Sequence, residues 1–104
     1  IEFRHASWFD DTVFDILEDH DIAFSMISAH GFPDLVRVTS DTAYMRFHGK
    51  AEAWYRYHYR KDELRMWAEA LSDLAADQLY VYFNNDYEGH ALENCRTLRE
   101  MMEK

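Results

Sequence analysis

The chain has 104 residues, of which 48% are hydrophobic and 16% aromatic, a composition that excludes a disordered chain and predicts one folded domain with a modest core. Its formal charge of −9 would repel a phosphate backbone, so nucleic acid is excluded as an expected partner. No apolar run approaches the roughly 18 residues of a membrane span and no leader pattern opens the chain, so we expect a soluble, cytoplasmic protein without a membrane partner.

The first third of the chain predicts a strand, a helix and a second strand. "IEFRH" (1–5) reads as a buried strand, and "IAFSMIS" (22–28) reads as a short strand buried on both faces. Between them, residues 11–20 have the spacing of an amphipathic helix, with Asp10 or Asp11 as its N-cap. The apolar stripe of this helix comprises Val13, Phe14, Ile16 and Leu17.

The middle of the chain predicts a third strand, a second helix and a fourth strand. "AYMRFHG" (43–49) alternates aromatic, charged and apolar residues and ends at a glycine, which favours a strand. Residues 62–75 carry apolar side chains at steps of three and four, which predicts a helix. "QLYVYFNND" (78–86) is rich in strand-forming residues and ends in polar loop formers. The apolar face of the helix comprises Leu64, Trp67, Ala68, Leu71, Leu74 and Ala75.

Residues 88–102 predict the last helix, with Ala91, Cys95, Leu98 and Met102 on its packing face. We expect Cys95 to be a small buried apolar residue rather than a nucleophile, because no His or Asp lies beside it at helical spacing. Because the chain has a single cysteine, an internal disulfide and a metal site built on thiolates are excluded. A single cysteine is also consistent with a reducing compartment.

The order of predicted elements indicates the fold class. It runs strand, helix, strand, strand, helix, strand, helix, which is typical of a mostly parallel sheet with helices packed against it. We therefore predict an α/β fold of about four mostly parallel strands with three helices. Such a sheet has two bare edges, which must be covered or paired.

Three stretches carry a family resemblance: "EFRHASWF" (2–9), "YMRFHG" (44–49) and "YVYFNND" (80–86), in this order and with helices between them. Together they resemble the YecE-like proteins, the family catalogued as domain of unknown function number 72. The segment "YHYRKDELRMWA" (57–68) is also similar to that family's tyrosine-rich approach to a helix. It departs from the pattern at residues 59–61, where Tyr-Ser with an acidic cap is expected.

The resemblance implies a TIM-barrel-like domain, a fold that takes roughly 250 residues. Residues 1–104 would then form the C-terminal half of such a domain, with residues 1–5 as an interior barrel strand. The bare edges would be covered by the missing N-terminal half or by self-association with a second copy. The resemblance brings no established activity, so whether the protein is an enzyme stays open.

Charged side chains gather on one face of the predicted sheet. Alternation puts Glu2 and Arg4 on one face of the first strand, and Tyr44, Arg46 and His48 on one face of the third. If these faces look into a barrel, Glu2, Arg4 and Arg46 lie close together. One interpretation is an ion-pair layer that fills the barrel centre, because buried charges need partners.

The functional interpretation concerns the C-terminal ends of the strands, where barrels form their active sites. We predict that an anionic, hydroxylated small molecule binds there and that His48 carries a proton. The predicted binding residues are Arg4, Arg46, Asn84, Asn85 and Trp8. Three further residues lie at these ends: His5, which by alternation faces away from Arg4, Gly49, and Asp86, which with Asn85 is also a common turn former.

No cofactor and no metal site is predicted. His5, His48 and Asp86 are possible ligand types, but no pair of them has the spacing of known zinc motifs. The sequence holds neither a G-x-S-x-G nucleophile elbow nor a glycine-rich phosphate loop.

Two alternatives remain open at this level. The segment "WYRYHYR" (54–60) is either a lid whose rings stack on a ligand or a loop held down by its own rings. For the whole chain, the alternative to a ligand-binding barrel is a non-catalytic half-barrel that acts as an association module through its exposed sheet edges.

Overall fold

Three parallel strands and three α-helices form the molecule, as seen in a computed structural model that describes residues 1–53 and 56–103. Short 3₁₀ helices, Ala6–Trp8 and Tyr87–Gly89, precede the first and last α-helices. In chain order the main elements are α1 (Asp11–Asp19), β1 (Ser25–Ala29), β2 (Thr42–Gly49), α2 (Lys61–Ser72), β3 (Gln78–Phe83) and α3 (His90–Met102).

The sheet has the order β1-β2-β3, and both neighbouring pairs are parallel. The prediction of an α/β fold with a parallel sheet is confirmed, with three strands instead of four. Near the C-terminal end of β1 the register shifts, because Ser28 lies opposite Phe47 whereas Ala29 lies opposite Gly49. His48 is therefore an extra residue in β2, a β-bulge of the kind that redirects a side chain next to a site.

The three helices pack on one face of the sheet. Met26 of β1 and Met45 and Phe47 of β2 point into this layer and are fully buried. Burial of side chains of this size contributes about 1.5–3 kcal/mol each. The helices supply the rest of the core through Phe14 and Leu17 of α1, Leu64, Trp67, Ala68 and Leu71 of α2, and Leu98 of α3.

The predicted boundaries of the first two helices are close to the observed ones. Asp10 caps α1, and its Oδ1 accepts a hydrogen bond from Thr12 N at 2.8 Å, as the sequence predicts. Ile16, assigned to the apolar stripe, is exposed instead. Helix α2 ends at Ser72, so Leu74 and Ala75 lie beyond it rather than on its packing face.

The predicted strand at residues 1–5 does not form. Its backbone meets β1 only through Ile1, whose carbonyl accepts from Ser25 N at 2.8 Å and whose amine donates to Ala23 O at 2.6 Å. The chain then bends away, because His5 caps the following 3₁₀ helix and Phe3 stacks on Trp8 at 5.4 Å. These local contacts replace the strand ladder.

Leu98 and Met102 of the predicted packing face of α3 contact the core, but the prediction for Cys95 is wrong. Cys95 is exposed, and the neighbouring Asn94 is buried in its place. The Asn94 amide is buried because it is hydrogen-bonded: Oδ1 accepts from Tyr59 N at 3.1 Å and from Asn85 Nδ2 at 2.8 Å, and Nδ2 donates to Tyr59 O at 3.3 Å. A polar side chain with satisfied partners can thus hold the centre of a packing face.

Tyr59 connects the C-terminal ends of β1 and β2. Its buried hydroxyl donates to Ser28 Oγ at 2.8 Å and accepts from Gly49 N at 2.8 Å. Burial raises the pKa of this phenol well above its ordinary value, since the charged form would be desolvated. Gly49 has a φ of 108°, a conformation that favours glycine, and this brings its N–H to the tyrosine.

None of the helices in the described ranges is both long enough and apolar enough to cross a membrane.

Tyr59→Phe is expected to lower the free energy of unfolding by about 1–3 kcal/mol, because the buried N–H of Gly49 and hydroxyl of Ser28 lose their partner. Urea denaturation measures the change. Tyr80→Phe is the control, since the Tyr80 hydroxyl is exposed and donates to Gln78. We expect the control to change stability by less than about 0.5 kcal/mol. Equal effects of the two substitutions would contradict this role of Tyr59.

Candidate functional site

The Glu2 carboxylate is the centre of a cluster of charged side chains on the open face of the sheet. Its Oε1 lies 3.3 Å from Arg46 Nη1 and 3.2 Å from His48 Nε2, and its Oε2 lies 3.1 Å from Arg4 Nη2. The structure therefore brings together Glu2, Arg4 and Arg46, as expected from the sequence, although the strand assumed at residues 1–5 does not form, and it adds His48 to the same carboxylate. We call these four residues the Glu2 cluster.

The ends of two segments position the Glu2 cluster. Arg46 and His48 come from the central strand β2, and the His48 ring lies against Glu2. Glu2 and Arg4 come from the chain segment that runs beside β1 and then bends away. The Glu2 side chain is only 10% exposed, whereas those of Arg46 and Arg4 are 31% and 68% exposed, so the cluster reaches solvent through its arginines.

The Glu2 carboxyl group is held in its charged form. Burial alone would raise its pKa, but the hydrogen bond from His48 and the positive charges of His48, Arg46 and Arg4 bring the pKa below its ordinary value of 4.5. Two guanidinium charges thus face one carboxylate charge, which leaves an excess of positive charge in the cluster.

Three tyrosine rings continue the same face of the sheet. Tyr44 of β2 stacks on Tyr80 and Tyr82 of β3, with ring centroids 5.2 and 6.4 Å apart. All three are exposed. Arg46 lies opposite Tyr82 in the strand register, so the tyrosine surface adjoins the Glu2 cluster.

Asn84 lies at the same end of the sheet as the Glu2 cluster. Its backbone N donates to Phe47 O at 2.8 Å, which places Asn84 beside His48. By the alternation of side chains, Asn84 lies on the same face of the sheet as Tyr80 and Tyr82, and its side chain is exposed.

The other predicted residues have contacts of their own. Asn85 is fully buried, and its amide donates to Tyr57 O at 2.7 Å and to Asn94 Oδ1, so it links the segment before α2 to α3. Trp8 is exposed and stacks on Phe3, and Asp86 precedes the 3₁₀ helix Tyr87–Gly89. His5 is exposed and accepts from Ser7 N at 3.1 Å.

Glu2 is the residue that sequence reasoning left out of the predicted binding set. The signal was present, because alternation placed Glu2 on the face of Arg4. What the pattern could not give is the position of Glu2 between two guanidinium groups and an imidazole, since Arg46 and His48 lie more than forty positions away in the chain.

The segment 54–60 is held against the protein in its described part. The Tyr57 hydroxyl donates to Glu63 Oε1 at 2.7 Å, and burial together with this hydrogen bond raises the pKa of Tyr57 to about 12. Arg56 lies over the Tyr87 ring at 5.0 Å. These contacts agree with a loop held by its own rings. Trp54 and Tyr55 lie outside the described residues.

Parallel strands joined by helices that pack on one face, with polar residues at the C-terminal strand ends of the other, define a protein built from β/α units. The chain belongs to the family described as protein of unknown function DUF72, which matches residues 1–104. The resemblance noted from the sequence is thereby confirmed.

Known relatives extend well beyond this chain. The UPF0759 protein YunF of Bacillus subtilis (strain 168) is 25% identical over 129 residues, which include 99% of this chain and 46% of that protein. A DUF72 family crystal structure from Thermotoga maritima MSB8 has a TM-score of 0.92 and 34% identity, and the match covers 98% of this chain and 45% of that one.

A second solved relative supports the fold alone. A DUF72 family structure from Enterococcus faecalis V583 has a TM-score of 0.90 at 22% identity, and the match covers 100% of this chain and 46% of that one. The chain thus spans about half the length of the relatives it matches. These structures are TIM-barrel-like, so the chain has a partial TIM-barrel-like fold. That it is the C-terminal half stays a prediction.

Glu2→Gln is expected to lower the free energy of unfolding at pH 7 by about 1–3 kcal/mol, since hydrogen bonds to a charged acceptor are lost. Because the folded pKa of Glu2 lies below 4.5, its contribution is complete above that pH and is lost as the pH falls through the folded pKa. Urea denaturation between pH 7 and pH 3 should show the two proteins converging in acid.

Glu69→Gln, a change on the exposed face of α2, is the control and should alter stability little at any pH. A difference between Glu2→Gln and the unaltered protein that stays constant down to pH 3 would contradict a carboxylate stabilised by its cationic neighbours.

Proposed function

We propose that the Glu2 cluster binds an anionic, hydroxylated small molecule at the C-terminal ends of the strands. The observation that supports this proposal is the excess of positive charge, since both Arg4 and Arg46 share one carboxylate. An ion-pair layer with only a structural role would need no more cations than carboxylates. The second arginine provides charge that a carboxylate or phosphate on the ligand would neutralise.

Each arginine keeps hydrogen-bonding capacity for a ligand. A guanidinium has five N–H donors in a planar fork, and Glu2 accepts from Nη1 of Arg46 at a long 3.3 Å. Because the Arg46 side chain is one third exposed, a ligand anion can reach the rest of the fork from solvent. Arg4 is more exposed and lies at the rim of the cluster.

His48 and Asn84 have distinct parts in this proposal. The His48 ring is oriented by Glu2 through the 3.2 Å contact at Nε2, and a ring held in this way is positioned for proton transfer to or from a ligand. The Asn84 amide lies at the same strand ends and can donate to or accept from a ligand hydroxyl. The adjoining tyrosines offer flat surfaces for a sugar or ring.

Thermal melts with a panel of phosphorylated and carboxylated hydroxy compounds test the proposal. A ligand at a hundred times its Kd stabilises the folded protein by about 2.7 kcal/mol, which raises the melting temperature by several degrees. Arg46→Ala should abolish this shift and His48→Ala should reduce it. Arg65→Ala, on the exposed face of α2, should preserve it. A panel without any shift, or a shift that survives both cluster substitutions, would reject the proposal.

A second candidate function is association through the exposed sheet. Strand β3 pairs only with β2 among the described strands, so its outer edge has unpaired backbone groups. The tyrosine surface beside it is exposed, and the chain covers under half of each solved relative described above. A second copy, or the remaining part of the domain, would cover both features.

Tyr80→Lys combined with Tyr82→Lys is expected to convert a dimer into a monomer, because charge on this surface opposes pairing. Light scattering coupled to size-exclusion chromatography measures the mass across a range of concentrations. Ile16→Lys is the matched control, since Ile16 is about as exposed as Tyr82 but lies in the helical layer. A cooperatively folded monomer at every concentration would contradict association through the sheet.

A further inference from the structure

His58, His90 and Glu93 form a group of metal-ligating side chains outside the Glu2 cluster. His58 lies just before α2, and His90 and Glu93 lie in the first turn of α3. One ligand atom from each residue lies within 4.8 Å of the others, and His58 Nε2 is 3.5 Å from Glu93 Oε2. The two imidazole rings stack at 4.3 Å and are nearly parallel.

Backbone groups on both sides of His58 are hydrogen-bonded to buried amides, those of Asn85, which precedes α3, and of Asn94 in α3. Before it, the Tyr57 carbonyl accepts from Asn85 Nδ2 at 2.7 Å. After it, both backbone groups of Tyr59 are hydrogen-bonded to the buried Asn94 amide. Because Asn94 follows Glu93 directly, the same buried network sets the distance between His58 and the first turn of α3. The backbone that carries the ligands is therefore held in place by buried hydrogen bonds.

We propose that His58, His90 and Glu93 bind one divalent transition-metal ion, with Zn²⁺ as the representative ion. Two imidazoles and one carboxylate are the protein ligands of many three-ligand zinc sites, whose fourth position stays open for water or substrate. The negative formal charge of the chain favours accumulation of cations over anions.

The side chains need only a small rearrangement to close on an ion. Bound ligand atoms lie about 2.0–2.2 Å from zinc, so the present separations must shorten. Two parallel stacked rings cannot both direct a lone pair at one ion, so one ring has to turn. The His58 side chain is 45% exposed and the Glu93 side chain 68% exposed, which leaves both of them room to move.

The alternative is an ion pair between His58 and Glu93 with a stacked second histidine and no ion. The two accounts differ in one respect that can be measured. A metal site requires His90 as much as His58, whereas the ion pair involves His58 and Glu93 alone.

Isothermal titration of the EDTA-treated protein with Zn²⁺ tests the proposal. We expect one ion per chain, and at least about tenfold weaker binding in each of His58→Ala and His90→Ala, because each removes one of three protein ligands. Glu93→Gln should also weaken binding. His20→Ala, which removes an exposed histidine at the end of α1, should bind as the unaltered protein does.

Circular dichroism establishes that the variants are folded. If His90→Ala disturbs the start of α3, His58→Ala still provides the test, because His58 lies outside the helices. Visible absorption of bound Co²⁺, altered by both histidine substitutions but not by His20→Ala, is the second expected readout. Absence of saturable Zn²⁺ binding, or binding unchanged by His58→Ala, would overturn the proposal.

Discussion

Within residues 1–53 and 56–103 the helices cover one face of the sheet and leave the other open, and this asymmetry determines the chemistry of the molecule. Met26, Met45 and Phe47 are buried beneath the helices, while Tyr44 and Tyr80 remain exposed on the other face. Parallel sheets are normally covered on both faces. In a closed barrel the second face is covered by the strands that complete the ring, whose inward side chains stack in layers. The open face here is therefore the surface on which both the ligand site and the association surface depend.

The charge balance of the Glu2 cluster is relevant to both interpretations of the cluster, the structural ion-pair layer and the ligand-binding site. A partly buried carboxylate needs cationic partners, and Glu2 has three cationic or titratable groups within 3.3 Å. Such a layer stabilises one arrangement of the strands and at the same time presents an excess of positive charge to solvent. His48 is the extra residue of the β-bulge in β2, and its ring contacts Glu2.

A second constraint comes from buried amides in the helical layer. Asn85 and Asn94 hydrogen-bond to each other and to the backbone around His58, so they fix the segment before α2 against α3. These hydrogen bonds permit few alternative packings, although the buried Oδ1 of Asn85 has no hydrogen-bond partner among the described residues. Tyr59 extends the same network to the ends of β1 and β2. The proposed metal ligands and the strand ends thus share one rigid support.

The sequence by itself determined the helices α1 and α2, the three strands, the parallel α/β class and the family, because apolar periodicity and ordered motifs report which side chains are buried along each element. Only the tertiary structure decided that residues 1–5 leave the sheet, that Asn94 rather than Cys95 is buried, and that His58 meets His90. Each of these outcomes depends on hydrogen bonds or ring contacts. The partners in these contacts are distant in the sequence or lie in irregular segments of the chain. Periodicity carries no information about such partners, since it records the hydrophobicity of a residue and not what its polar atoms will bond to.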